Sequence, residues 1–234
     1  MLEIRSLDAY YGQAHILHQI GFAMAEGERI SVLGRNGAGK STLLKSIMNA
    51  GPTVRGEVLL DGKALGRTSA SDRVRLGMSL VPEDRRIFTH ITVAENIRLA
   101  QQGTERKSGL PAIADVVAMF PMLKDLVDRM GGQLSGGQQQ MLAVARSVAA
   151  RPRLMLLDEP TEGLAPVIVE DMAAKIVEAC DACGTALLLA EQNVWFARQC
   201  TSRVMLLDSG SLVFSGSWAD FDASGELVER YLAV

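Results

Sequence analysis

The stretch Arg29-Ile-Ser-Val-Leu33, Gly34-Arg-Asn36-Gly37-Ala38-Gly39-Lys40-Ser41-Thr42, Leu43-Leu-Lys-Ser-Ile-Met48 decides the fold. Its short apolar run predicts a strand, its glycines a loop, and the residues from Ser41 to Met48 a helix, the opening of a βαβ unit. The loop fits G-x-x-x-x-G-K-[ST]. Glycines let backbone N–H groups turn inward around phosphate oxygens, and the helix that follows adds the positive end of its dipole. Lys40 is expected to reach the outer phosphates, and the Ser41 hydroxyl to ligate Mg²⁺. A plain Gly-rich turn is the rival reading, and the strand-to-helix junction argues against it.

On the N-terminal side, Leu2–Ile4 and Ile16–Phe22 read as strands, and Glu57–Leu60 follows with Asp61-Gly62 as a turn. From Arg85 to Ala150 the apolar residues fall at helical spacing: Val93, Ala94, Ile97 and Leu99, then Ile113, Val116, Val117 and Phe120, then Met141, Leu142, Val144 and Ala145. This predicts a helical lobe inserted into the sheet. Leu154-Met-Leu-Leu157 returns to the unbroken apolar pattern of a buried parallel strand, with further strands at Ala186–Leu189 and Val204–Leu207. The polar stretch 103–109 is expected as a loop.

Two further motifs carry chemistry. Leu154-Met-Leu-Leu-Asp158-Glu159-Pro160 delivers two acids at the C-terminal end of a buried strand, where α/β sheets bind ligands. Asp158 would hold Mg²⁺, and Glu159 would orient and deprotonate an attacking water. Two acids capping a strand are the bland alternative, weak downstream of a phosphate loop. Leu134-Ser135-Gly136-Gly137-Gln138-Gln-Gln140 opens the last apolar helix of the lobe. A hydroxyl, bare N–H groups and a helix dipole make an exposed anion site. Because the chain already has a phosphate cradle, this second site suits a nucleotide held by another subunit; an ordinary Ser N-cap is the alternative.

Composition narrows the classes. The chain has 234 residues, 48% hydrophobic and 22% charged, with net charge −3 and scattered basic residues, so no basic face for nucleic acid is expected. The N-terminus lacks the apolar run of a signal peptide, and no stretch approaches the roughly 18 apolar residues that span a bilayer. The expected place is therefore the cytosol, with any membrane role peripheral. Cys180-x-x-Cys183 lies in a helix-like stretch, Val169 to Ala182, and with Cys200 offers too few ligands for structural zinc. The three cysteines are expected to pack as small hydrophobes.

With phosphate loop, Leu-Ser-Gly-Gly-Gln and acidic strand in this order, the chain resembles the nucleotide-binding subunits of ABC transporters over essentially its whole length. The resemblance implies an α/β fold: a P-loop NTPase (RecA-like) core, residues 1–84 and 151–234, with an antiparallel β subdomain and an inserted α-helical subdomain, 85–150. It implies ATP and Mg²⁺ as cofactors, with Gly34, Asn36, Gly37, Ala38, Gly39, Lys40, Ser41 and Thr42 around the phosphates. Ser135, Gly136, Gly137 and Gln138 would cap the γ-phosphate of the opposite protomer's ATP. The family's adenine-stacking aromatic falls at Tyr11, with Tyr10 as the alternative. The partners implied are a second ABC ATPase subunit, like or unlike this one, two integral membrane subunits, and an extracytoplasmic binding protein, with this chain on the cytoplasmic face of the membrane.

Three positions depart from the family. Glu83 stands where a Gln normally contacts Mg²⁺ and water, Gln192 where a His touches the γ-phosphate, and Ala165 where an Asp is common. A carboxylate still ligates Mg²⁺, whereas an amide donates a neutral hydrogen bond and never becomes cationic. A degenerate site is one explanation. Subfamily identity is the better one, since Val-Pro-Glu83 with Arg85-Arg-Ile-Phe88, Gly-Leu-Ala165-Pro and Glu191-Gln-Asn193 resemble the ATPases of branched-chain amino acid importers. Urea and short-chain amide importer ATPases are close relatives. A soluble ABC protein acting on ribosomes or DNA usually carries two ATPase units or a long coiled coil, neither of which is present. A P-loop kinase has no use for Leu-Ser-Gly-Gly-Gln, and a non-hydrolysing regulatory module is separated by measuring hydrolysis.

Overall fold

In a computed structural model that describes residues 1–104 and 109–225, the apolar runs form the centre of a six-stranded sheet. The strands are β1 (Leu2–Tyr11), β2 (Ala14–Met24), β3 (Arg29–Leu33), β4 (Thr53–Leu60), β5 (Lys63–Ala64), β6 (Met78–Val81), β7 (Leu154–Asp158), β8 (Ala186–Glu191), β9 (Arg203–Asp208) and β10 (Ser211–Ser217). The helices are α1 (Lys40–Ile47), α2 (Ala70–Arg75), α3 (Val93–Gln102), α4 (Ile113–Met119), α5 (Gly136–Ala149), α6 (Pro166–Cys183), α7 (Val194–Cys200) and α8 (Trp218–Ala223).

The large sheet runs β10-β9-β3-β8-β7-β6, parallel except for β10. Its central strands are apolar at consecutive positions because both faces are covered. Leu33, Met155, Leu157, Leu187, Leu189 and Leu206 meet the helices α5, α6 and α7. Ile30, Val32, Leu154, Leu156, Leu188 and Leu207 face α1 and the second sheet. That sheet, antiparallel in the order β2-β1-β4-β5, turns from β4 to β5 through Asp61 (φ 52°) and Gly62 (φ 74°), the expected tight turn. Strand β6 and the β9–β10 hairpin extend what the apolar runs predict. Both β6 and β10 are edge strands carrying serines, Ser79 and Ser211, Ser215 and Ser217, so neither announces itself as an apolar run.

Between β6 and β7 the chain is helical. Thr92 and Glu95 form a capping box that starts α3, and Ser135 and Gln138 form another that starts α5. Helix α5 is buried over most of its circumference, from Gln140 to Ala145 and again from Ser147 to Ala149. Of the polar stretch 103–109, residues 105–108 lie outside the described residues. Cys180 and Cys200 are buried in the core against the sheet, and burial pushes the Cys180 thiol up to about 12, which makes it an inert packing group.

Helix α6 begins at Pro166 with Ala165 in the N-cap position, where no side chain caps the free N–H groups. An Asp there supplies the missing acceptor, so Ala165→Asp is expected to stabilise the fold by about 0.5–2 kcal/mol, read as a raised melting temperature. An unchanged or lowered melting temperature would show that the N-terminus of α6 has no unmet capping need.

Candidate active site

The phosphate loop leaves the C-terminal end of β3 and enters α1 through Gly39, whose φ of 106° admits no ordinary side chain without strain. Gly34 packs so closely that a Cβ would lie 2.4 Å from the Leu207 carbonyl oxygen, which fixes the loop's first residue against β9. Lys40 is buried, and its Nζ donates to the carbonyls of Gly34 (2.7 Å) and Arg35 (3.1 Å). The same Nζ is 2.9 Å from Glu159 Oε1.

Around it lies a cavity of about 450 Å³ lined by Asn36, Gly37, Ser41, Thr42, Glu83 and Glu159, among others. Asp158 and Glu159 enter from the end of β7. Glu159 adopts a left-handed backbone (φ 44°) while its N–H still bonds the Ala190 carbonyl at 2.9 Å. A non-glycine residue held this way stores about 1–3 kcal/mol, and the strain turns the carboxylate out of the sheet toward the loop. Gln192, leaving β8, donates through Nε2 to Glu159 Oε2 (2.8 Å) and Asn36 Oδ1 (2.7 Å). Lys40 and Gln192 therefore hold one oxygen each of Glu159, and Gln192 reaches the cavity through its contacts to Glu159 and Asn36 rather than lining it.

Ser41 Oγ donates to Asp158 Oδ1 at 2.8 Å, while Asp158 Oδ2 is buried with no hydrogen-bond partner. Burial raises the Asp158 carboxyl above its usual range, the Ser41 hydrogen bond and nearby lysines opposing the rise. Glu83 is also raised, first by burial and then by the neighbouring Glu162 carboxyl and the charges of Asp158 and Glu159. An orphan carboxylate oxygen behind the Ser41 hydroxyl, which lines a cavity holding Glu83, Glu159 and Glu162, fits a hard cation with oxygen ligands. Among the described residues no three His, Cys, Asp or Glu side chains converge into a metal cage. Mg²⁺ takes one or two protein ligands and completes its shell with phosphates and water, and Ser41 with Asp158 offer that number.

The aromatic pair separates. Tyr10 is flanked by the His15 ring, stacked at 4.3 Å and 15°, and by the Arg55 guanidinium 5.1 Å from its centroid. Tyr11, at the end of β1, is 45% exposed and open to stacking. Ser135 and Gly136 are exposed, and Ser135 Oγ accepts from the Gln138 N–H at 3.4 Å. The structure shows the N-cap, with Ser135 and Gln138 closing a capping box at an exposed helix start. None of Ser135 to Gln138 lines the phosphate cavity of this chain. Sequence reading missed Glu191, a buried acid at the end of β8 beside Glu159. Its signal was available: like Asp158, it ends a fully apolar strand.

A second groove, about 380 Å³, lies away from this chemistry between the end of β6, α3 and α5. Its walls include Pro82, Arg85, Arg86, Leu99 and Arg146. The Arg146 guanidinium stands 4.8 Å over the ring of Phe88, which is 47% exposed.

The family model for ABC transporters matches residues 17–162, which span the phosphate loop, the Ser135 motif and the acidic strand. The chain belongs to the ABC transporter family. It is an ABC ATPase, binding ATP and hydrolysing it to ADP and phosphate. It is 33% identical over 232 residues to the high-affinity branched-chain amino acid transport ATP-binding protein BraG of Pseudomonas aeruginosa, covering 99% of each chain. To the probable branched-chain amino acid transport ATP-binding protein LivF of Archaeoglobus fulgidus it is 34% identical over 217 residues, 93% of this chain and 92% of that one. A dimeric ATP-binding cassette, solved in a post-hydrolysis state with ADP and Pi, shares the ABC ATPase fold with a TM-score of 0.81 at 23% identity, over 93% of this chain and 98% of that one.

Proposed function

We propose that this ABC ATPase energises uptake of branched-chain or other hydrophobic amino acids, working as one of two ATPase subunits beneath a pair of membrane subunits. The observation that carries the reading is likeness from end to end to a branched-chain amino acid transport ATP-binding protein. Residues 1–84 and 151–234 act as the nucleotide-binding core and 85–150 as the helical lobe. Tyr11 stacks on adenine, the loop from Gly34 to Thr42 wraps the phosphates, and Lys40 neutralises them. Mg²⁺, held by Ser41 and Asp158 with Glu83 nearby, would supply charge neutralisation at the β- and γ-phosphates. Glu159 takes the proton from the attacking water, and Gln192 donates to the γ-phosphate. Ser135 to Gln138 cap the ATP of the partner ATPase.

No helix among the described residues is long and apolar enough to cross a membrane. The groove beside Arg85, Arg86 and Phe88 suits a membrane subunit, since it combines an apolar floor with cations and opens where core and lobe meet. We assign the chain to the cytoplasmic face of the membrane, with an extracytoplasmic binding protein reached through the membrane subunits.

The test is to purify a tagged copy from native membranes and to measure uptake of labelled leucine and urea after deleting the chain. Recovery of two multi-span proteins with a second, unlike ATPase, and loss of leucine uptake, is the expected result. Loss of urea uptake with leucine uptake intact would move the assignment to urea and amide import. Recovery of ribosomal or repair proteins without membrane subunits would refute transport. Replacing Gln192 by His tests its share of the barrier. A charge-assisted hydrogen bond is roughly twice as strong as the neutral one it replaces, so basal hydrolysis is expected to rise. An unchanged rate would show that this contact does not limit turnover.

A further inference from the structure

Glu191 is 2% exposed, and its carboxylate is not met by the Lys40 ammonium, whose ion pair is with Glu159. Four uncharged donors satisfy it instead. Its Oε1 accepts from the Thr161 N–H (3.2 Å) and Oγ1 (2.6 Å). Its Oε2 accepts from the N–H groups of Gln192 and Asn193, both at 2.9 Å. An ionised carboxylate offers about four lone-pair sites, and here all four are taken. Burial raises its carboxyl above the usual range, and the hydrogen bonds from Thr161, Asn193 and Gln192 oppose the rise.

The two oxygens point at two different turns. Oε1 holds the turn after β7, two residues beyond Glu159. Oε2 holds the turn after β8, at Gln192 itself. Strands β7 and β8 are parallel neighbours, and Asp158 pairs with Ala190, so Glu159 and Glu191 leave adjacent strand ends. One side chain thus bridges the segment that carries the general base and the segment whose amide touches that base and Asn36.

We infer that Glu191 is a positioning residue for ATP hydrolysis, a buried clamp that fixes the Glu159 turn and the Gln192 turn relative to each other. It does not line the phosphate cavity, and with every lone pair engaged it has none left for water or substrate. Its effect runs through Glu159 and Gln192, so the inference rests on the roles proposed for them. A clamp of this kind also explains how a backbone strained at Glu159 is held: the carboxylate pins the turn on one side while the Ala190 carbonyl holds the other.

Glu191→Gln keeps the shape and changes the donors. Its amide oxygen serves one pair of donors, while its NH₂ group faces the other pair as donor against donor. In the full chain, kcat for ATP hydrolysis is expected to fall roughly 10- to 100-fold, the scale of an ångström-sized misplacement of a reacting group. Affinity for a fluorescent ADP analogue should stay within about twofold, because ADP lacks the γ-phosphate that Gln192 is proposed to meet and Lys40 keeps its own contacts. Thr161→Val, which removes one of the four bonds, should lose less, and Thr161→Ser, which keeps the hydroxyl, should recover what Val loses. In a Glu159→Gln background, Glu191→Gln should add less than about a further twofold, since the group it positions has gone.

Wild-type kcat in Glu191→Gln, with Glu159→Gln inactive, would overturn the clamp and leave the base in place. A fall in kcat accompanied by an equal loss of nucleotide affinity, or a full additive loss on top of Glu159→Gln, would also overturn it, the first marking a merely structural role. Near-normal hydrolysis by Glu159→Gln alone would instead overturn the role of Glu159, and the clamp with it.

Discussion

Glu159→Gln is expected to abolish turnover, lowering hydrolysis by ~10²–10⁴-fold, the usual cost of losing a general base. The replacement preserves volume, and its amide oxygen can still accept from Lys40, while its NH₂ replaces the oxygen that accepted from Gln192. What disappears is proton affinity at the position facing the cavity. Removing a negative charge beside bound phosphates also favours ATP, so ATP-loaded chains should accumulate as dimers. Single-turnover hydrolysis together with the elution volume of the ATP-loaded protein reads both effects. Hydrolysis near the wild-type rate would remove Glu159 from the role of base, whatever happens to dimerisation.

Asp158→Asn is expected to cost roughly 10²–10³-fold in hydrolysis, because several kcal/mol of charge stabilisation come from the metal that this carboxylate would hold. Asp158 Oδ2 is buried without a hydrogen-bond partner, and a cation beside it would offset the cost of that burial. In the variant, rate and ATP affinity should lose most of their dependence on Mg²⁺ concentration. The melting temperature without nucleotide should hold or rise, since the substitution removes a buried charge whose desolvation the Ser41 hydrogen bond and nearby lysines only partly offset. Wild-type Mg²⁺ dependence in Asp158→Asn would assign the metal to other groups, with Glu83 the first to examine. A collapse of the fold would show that the Ser41 contact holds the loop together.

The residues proposed to carry the chemistry are legible in the sequence because each motif is local. Glycines at 34, 37 and 39, the lysine and hydroxyl after them, and the two acids at the end of an apolar strand announce themselves within a few positions, as do the Ser135 glycines before a helix. The helical lobe was legible from its spacing, and the Asp61-Gly62 turn from residues that tolerate positive φ. The edge strands β6 and β10 were hidden, since half-polar edges carry no unbroken apolar run.

Other assignments depended on which strands lie side by side. Nothing near Tyr10 in the sequence says that His15 and Arg55, from the two flanking strands, occupy its surroundings and leave Tyr11 free. Nothing near Glu191 says that its partners sit on Thr161, thirty residues earlier, or that Gln192 reaches back to Asn36. In strands apolar at every position, the sequence by itself determined burial on two faces, the phosphate loop and its acids. Only the tertiary structure decided which alternate residues face α5, α6 and α7 and which face α1, because a period of two cannot distinguish the sides when both are apolar. Local hydrogen-bonding rules act over three or four residues, whereas the order β9-β3-β8-β7 is set by helical crossovers that bring distant strand ends together, and the site is assembled at those ends.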